Sequence, residues 1–259
     1  MKPLQTTSFL LLFLGILIEI NAQKPKPTKF KIMSVNIQHG VSNDGKTNLL
    51  KLVDLIKTHQ PDAVAIQEID SCTTKSGKLN QIRILSLLTG YESIWGGAGQ
   101  QAIGKTGLGI LTKHPFEQVQ VVPLPMPEPS VEKILLSAVL KLPNTRFLRL
   151  CNTQLDDKSI LNRGVQAAIL SRTLEMSLYP IVWCGDFIDT MEDQTIDFVN
   201  KKWDDAGIKN NTPTHLPTES RRHFFWTIKN SNVVLKEYKV LSEPKMSQHQ
   251  PIICTFELR

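Results

Sequence analysis

With 259 residues, 41% hydrophobic and 21% charged side chains, the chain has the makeup of an ordinary globular protein, long enough for one large domain or two small ones. It has no long Ser/Gly/Gln tract, no internal repeat and no heptad run, which excludes solenoids, coiled coils and long disordered tails. The net charge of +6 is a mild bias toward anionic partners, but the basic residues are scattered, apart from Arg221-Arg222, so no dedicated nucleic-acid stripe is expected.

At the N-terminus Lys2 precedes the apolar run Phe9 to Ile18, and Ile20-Asn21-Ala22 offers a small residue at a cleavage position. This predicts a secretory signal peptide over 1–22. The alternative, a membrane anchor, is disfavoured because the run is about half of the roughly 20 residues that a spanning helix needs. A secreted or periplasmic monomer without a transmembrane anchor is therefore expected, with 23–28 as an extended leader and 29–259 as one domain. Cleavage removes Lys2 and Glu19 and leaves the charge unchanged. Four cysteines in an exported chain could form disulfides, of which Cys151 to Cys184 is the pairing to weigh. None has metal-site spacing, and three lie in strand-like runs where cysteine behaves as a small apolar residue.

In chain order, "KFKIMSVN" (29–36) alternates and predicts a strand. From Thr47, the set Leu49, Leu50, Val53 and Ile56 has helical spacing, closed by Pro61. "DAVAIQE" (62–68) predicts a strand buried on both faces, and Leu79 to Leu88 a second helix. "YESIW", "TGLGILT", "FEQVQVV", "KILLSAVLKL" and "RFLRLCNTQL" are strand-like runs separated by turn residues, which points to antiparallel pairing. A helix over Ile160 to Leu178 precedes the strand Ile181 to Cys184, and 191–201 reads as a short helix. A polar loop over 207–222 and the strands "HFFWTIK", "VVLKEYKVL" and "PIICTFEL" complete the chain. Two runs of strands with covering helices suit an α+β, four-layer α/β/β/α sandwich of two mixed, mainly antiparallel sheets packed face to face. The alternative doubly wound parallel sheet needs more helices than the pattern supplies.

Polar groups recur at strand ends: Asn36 with His39, Gln67-Glu68, Asn152-Thr153-Gln154 and Asp186. If these ends share one edge, that edge is a polar cleft above apolar walls. Each group alone has a plainer reading. Asn36 and His39 can close a turn, Asp186 can cap the following segment, and Arg163 with Gln166 can pack a helix on a sheet. Alternating burial explains Phe224, Phe225 and Trp226 better than base stacking does.

Taken together, "MSVNIQHG", "PDAVAIQEID", "GLGILTKHPF", "LRLCNTQLDD", "RGVQAAIL", "IVWCGDFIDT", "WDDAG" and "SQHQPI" resemble, in order and spacing, the motifs of the endonuclease/exonuclease/phosphatase superfamily, with its DNase-I-like fold. The resemblance covers nearly all of 29–258 and implies magnesium- or manganese-dependent attack of water on a phosphate ester. Glu68 then resembles the metal ligand and Asn36 its neighbour in the same cluster. A single carboxylate is adequate because Mg²⁺ keeps several waters. Asp186 resembles the carboxylate that orients or deprotonates the water, and His249 the imidazole that stabilises or protonates the phosphate. His39 and Asn152 are further candidate ligand contacts.

Four positions depart from the pattern. Ile188 stands where the motif carries an asparagine, Gln154 where it carries a histidine, and Gln248 where an aspartate precedes the last histidine. "RRHFFWTI" aligns Phe224 with an expected aspartate. Glutamine can hold a phosphate oxygen but cannot exchange a proton near neutral pH. One positioned acid or base is worth about 10² to 10⁴ in rate, so the expected protein is an exported phosphoesterase-type domain with an eroded site. The alternatives are a working hydrolase that uses Asp156, Asp157, Asp189 or His39 as substitutes, and a non-catalytic module that binds phosphorylated, head-group or glycan ligands. Substrate class is not readable from the loops.

Overall fold

A computed structural model describes residues 26–41, 49–100, 102–188, 194–210, 212–243 and 246–259; the expected signal peptide, most of the 23–28 leader and Asp189 lie outside them. Two six-stranded sheets form the molecule. The first contains β1 (Thr28–Asn36), β2 (Ala63–Ser71), β3 (Glu92–Gln100), β4 (Lys105–Thr112), β11 (Val233–Val240) and β12 (Ile252–Leu258), in the order β11-β12-β1-β2-β4-β3. The second contains β5 (Phe116–Pro123), β6 (Ile134–Leu142), β7 (Arg146–Gln154), β8 (Ile181–Asp186), β9 (Trp203–Asp205) and β10 (His223–Ile228), in the order β5-β6-β7-β8-β10-β9. Each sheet has one parallel pair, β1 with β2 and β7 with β8, and its other neighbours run antiparallel. The expected sandwich is observed.

Helices cover the outer faces. In α1 (Leu49–His59), Leu49, Leu52, Val53 and Ile56 are buried at intervals of three and four, which puts one apolar stripe on the sheet. Asn80 caps α2 (Gln81–Thr89) by accepting from the Arg83 amide at 3.2 Å, and Gly90, at φ 74°, ends it. Ser159 caps α3 (Ile160–Glu175) in the same way, accepting from the Asn162 amide at 3.1 Å, and α4 (Thr195–Asn200) is a short companion. These layers enclose three cores. Phe30, Ile32, Ala65 and Phe256 of the first sheet meet Leu136, Leu150, Val182 and Phe225 of the second. Met33, Val64 and Ile66 point the other way, onto α1 and α2, as the two-residue strand period requires. Trp183, Trp203, Trp226, Phe187 and Phe224 pack with Leu170 and Leu174 of α3 on the outside of the second sheet.

Some details differ from the sequence reading. β8 extends to Asp186 rather than stopping at Cys184, and the short edge strand β9 lay in unassigned sequence. All four cysteines are free thiols, three of them buried. Among the described residues no helix is long and apolar enough to cross a membrane.

Asn152 is fully buried and joins the two sheets. Its Nδ2 donates to the carbonyls of Ile66 and Gly109, both at 2.9 Å, and its Oδ1 accepts from Gln67 Nε2 at 2.7 Å. Its expected role as a ligand contact is therefore corrected to an inter-sheet tie.

Candidate functional site

The C-terminal ends of the two parallel strand pairs meet at one edge. Asn36 ends β1 and Gln154 ends β7, while the second strand of each pair delivers a carboxylate, Glu68 from β2 and Asp186 from β8. Both deliveries need an irregular backbone. At Glu68 the β2–β4 register shifts in a bulge between Gln67 and Ile69, with φ 52° at Glu68. The extra residue turns Glu68 into the site and lets Ile69 return to the core. Before Asp186, Gly185 sits at φ 149° with its Cα against the partner strand; a Cβ there would lie 1.8 Å from the Thr153 carbonyl oxygen. Only glycine fits, and this is why "CGD" closes the strand.

Asn36 links the two carboxylates. Its Nδ2 donates to Glu68 Oε1 at 2.8 Å and to Asp186 Oδ2 at 3.0 Å, while its Oδ1 accepts from the Gln38 amide at 2.9 Å. Gln154 Nε2 also donates to Glu68 Oε1, at 2.8 Å. Asn36 and Gln154 thus hold Glu68 in place through one oxygen, leaving Oε2 on the cleft side, 3.7 Å from His39 Nε2. A hard divalent ion that keeps most of its waters fits this arrangement: Glu68 Oε2 would hold it, with Asn36 as the tether of that ligand rather than a ligand itself.

His39 stands over the same cleft. Its Nδ1 meets Asp70 Oδ1 at 2.9 Å, and Asp70 also accepts from the hydroxyls of Thr73 (2.5 Å) and Thr106 (2.7 Å). Burial pushes the Asp70 carboxyl up, but the hydrogen bonds from His39, Thr73 and Thr106 outweigh it and hold the group below the usual carboxylate range. The cleft, about 380 Å³, is lined by His39, Glu68 and Gln154 with Lys75, Lys133 and Asp157 at its rim. Asp70 was not foreseen; its place two residues beyond Glu68 in "QEID" is the clue in hindsight.

The second carboxylate has different surroundings. Asp186 and His249 are 2% and 3% exposed, and His249 Nδ1 lies 3.8 Å from Asp186 Oδ2. His249 Nδ1 also faces His223 Nε2 at 3.0 Å, and the His215 ring lies 4.7 Å from that of His249. Thr214 organises this corner: its hydroxyl accepts from the amides of Arg222 and His223, and its carbonyl from the amide of Gln250. Burial lowers His223 to about 3 and His215 to about 4, so both imidazoles are neutral at pH 7. Burial raises Asp186, but His249, His223, Asn36 and Arg222 together bring it below its ordinary value.

The expectation that Phe224 faces the site is corrected. Its ring stacks on Trp226 at 4.8 Å and packs edge-on with Phe187, on the outer core face of β10. The residue of that strand that reaches the site is its neighbour His223, one step away in a strand whose side chains alternate faces. Ile188 is buried at φ 50°, a left-handed conformation that asparagine tolerates and a β-branched side chain does not favour. Gln248 pairs with Gln38, its amide donating to Gln38 Oε1 at 2.8 Å and its Oε1 accepting from Gln38 Nε2 at 3.2 Å, so it sits beside the site without backing His249. Asp156 accepts from the Lys158 and Ser159 amides and from Asn162, while Arg163 and Gln166 bind its backbone. This fixes the loop after β7: Arg163 and Gln166, read as a pair packing the helix on the sheet, hold the backbone of that loop. Asp157 pairs with Lys133 at 3.3 Å.

No protein-family model and no curated protein sequence matches the chain. Solved structures do match. An endonuclease/exonuclease/phosphatase family protein from Bacteroides thetaiotaomicron superposes with a TM-score of 0.75 at 18% identity, over 90% of this chain and 99% of that one. A mannosyl-6-phosphatase from the same organism gives 0.73 at 17% identity, over 88% and 99%. The catalytic domain of human Nocturnin gives 0.71 at 16% identity, over 88% and 93%. With its two sheets, outer helices and carboxylates at paired strand ends, the chain has the DNase-I-like fold of the endonuclease/exonuclease/phosphatase superfamily.

Proposed function

We propose that this protein is an exported phosphoesterase-type domain that binds a phosphate ester in the Glu68 cleft and has lost most of the power to hydrolyse it. One observation carries the reading: the two carboxylates of the site have separated in accessibility. Glu68, its side chain 26% exposed, opens on the cleft, whereas Asp186 and His249, the groups expected to handle water and proton, are buried against His223. Gln154 stands beside Glu68 where the family pattern supplies a histidine, and an amide transfers no proton at neutral pH.

Glu68 would hold a divalent ion, which would supply positive charge against a phosphate group, and Gln154, Lys75 and Lys133 would meet the remaining negative charge. A mannosyl-6-phosphatase and a TDP2 structure holding a single-strand DNA product share this fold, so phosphorylated sugars and nucleotides are the first ligands to try.

A second reading, a working hydrolase, draws on the His39–Asp70 pair. A buried carboxylate fixes one imidazole nitrogen and leaves the other facing Glu68 across the cleft, which is the arrangement of a general base. The test is turnover of a phosphomonoester, a phosphodiester and plasmid DNA with Mg²⁺ or Mn²⁺, alongside ligand-induced thermal shifts. The binding reading expects a metal-dependent shift that Glu68→Ala abolishes, with turnover no faster than in that variant. Turnover that both Glu68→Ala and His39→Ala remove would establish the hydrolase instead. No shift and no turnover would end both.

A further inference from the structure

Three of the chain's six histidines gather at one buried point. They arrive from separate segments: His215 from the loop before β10, His223 from the first residue of β10, and His249 from the turn before β12. Backbone bridges join His215 to both Ser220 and His249, so the convergence is built into the main chain.

The polar atoms of this cluster exceed the partners that protein supplies. His223 Nε2 and His249 Nδ1 share one hydrogen bond, and Asp186 Oδ2 is committed to Asn36. Among the described residues, His223 Nδ1 and Asp186 Oδ1 are buried and find no hydrogen-bond partner. Leaving such buried atoms unpaired is costly, and the outer face of β10 carries an aromatic core.

The spacing suits a cation. One donor atom from each of Asp186, His223 and His249 lies within 4.8 Å of the others. Ligands placed roughly 2.0–2.1 Å from a tetrahedral zinc ion are about 3.4 Å apart. His223 Nε2 and His249 Nδ1 are 3.0 Å apart and His249 Nδ1 and Asp186 Oδ2 3.8 Å, on either side of that value, so an ion held by these atoms would take the place of the His223–His249 hydrogen bond. Two imidazoles and a carboxylate are the donors that zinc, cobalt and nickel favour, whereas magnesium prefers oxygen alone.

We propose that Asp186, His223 and His249 form a buried binding site for a divalent transition metal of the zinc type. His215 is the neighbouring imidazole, its ring against His249 and its Nδ1 anchored on the Thr218 hydroxyl at 2.7 Å. All three ligands are at most 3% exposed, so the site is closed and its role is structural: the ion pins the loop before β10 and the turn before β12 to the end of β8. Glu68 takes no part, so this inference stands apart from the phosphate-ester reading.

The test uses purified protein stripped with a chelator, incubated with Zn²⁺ or Co²⁺ and desalted, with bound metal measured by mass spectrometry and cobalt geometry by its visible absorption. About one ion per chain is expected, with a raised thermal midpoint. His223→Phe, which fills the same buried space without a ligand atom, should weaken zinc binding by more than about 100-fold, since even supporting residues outside the ligand set cost 10–100-fold. His223→Gln, which keeps a hydrogen bond to His249, should behave likewise and serves if the Phe variant does not fold. Glu68→Ala should retain zinc while losing the ester-dependent shift, so the two readings fail separately. Zinc retention equal to wild type in a folded His223 variant, or none in wild type, overturns the site.

Discussion

The sheet β11-β12-β1-β2-β4-β3 and the sheet β5-β6-β7-β8-β10-β9 follow one plan: an antiparallel hairpin at one edge, a parallel pair in the middle, and two antiparallel strands beyond. In both, the second strand of the parallel pair delivers a carboxylate through a local distortion. Glu68 nevertheless faces an open cleft among amides, lysines and the His39–Asp70 pair, while Asp186 lies buried among three histidines. The same scaffold thus keeps one half open for a ligand and closes the other. The difference arises outside the regular strands: the segment 212–222 carries His215, and 246–250 carries His249, to the Asp186 side of the molecule.

The comparison is broken most severely at the distortions themselves. Gly185→Ala places a methyl on the Thr153 carbonyl and forces a forbidden φ, for an expected loss of roughly 2–6 kcal/mol from strain and overpacking together. Denaturant melts measure it, and a loss below 1 kcal/mol would show that the close approach of β7 and β8 is not required. Next comes the tie between the halves. Asn152→Ala removes three buried hydrogen bonds and leaves the carbonyls of Ile66 and Gly109 short of a donor, for about 2–4 kcal/mol. Asn152→Asp, nearly isosteric but without the donor, should cost at least as much. If both variants melt like wild type, the sheets are held by apolar packing alone.

Acid should separate the halves. His215 and His223 titrate near 4 and 3 in the folded protein, against about 6.5 when unfolded. Below about pH 6.5 the unfolded chain therefore binds more protons, and stability falls as pH decreases toward 4, with each histidine contributing a slope of about 1.4 kcal/mol per pH unit. Asp70 behaves in the opposite range: its depressed folded value contributes stability that is complete above the unfolded carboxylate value and is lost only as pH falls below it. Hydrogen exchange on metal-free protein, corrected for intrinsic rates, should show β10 and the loop before it opening between about pH 6 and 4.5, while β1 and β2 stay protected. Simultaneous opening of both regions would refute the separation.

Much of the open half was legible in the sequence. Alternation and helical spacing revealed the strands and helices, and the ordered motifs singled out Asn36, Glu68 and Gln154, which the structure brings together, as well as Asp186 and His249 of the closed half. The closed half was harder, for physical reasons. β10 is buried on both faces, so "HFFWTI" has no polar alternation to show which face is which, and Phe224 was chosen one residue away from His223. His215 lies in a polar loop whose path is set by long-range bridges to 248–250 and not by local pattern. Asn152 looked like its polar neighbours at the strand end, and only the pairing of two sheets reveals that it points between them.

The smallest expected effect tests whether the open half is functional or simply another structural corner. Glu68 accepts both amide hydrogen bonds through Oε1, and a glutamine carbonyl can accept the same two. Its other oxygen faces the cleft and, 3.7 Å away, His39, a long and half-buried contact that contributes little to holding the fold. Glu68→Gln should therefore change stability by no more than about 0.5 kcal/mol, since its fold-holding contacts survive. The charge that would hold a divalent ion does not survive, so the metal-dependent thermal shift with phosphorylated ligands should vanish. A variant that melts several degrees lower in the absence of any ligand would place Glu68 among the residues that hold the fold, and the difference between the halves would then be one of burial without a difference of purpose.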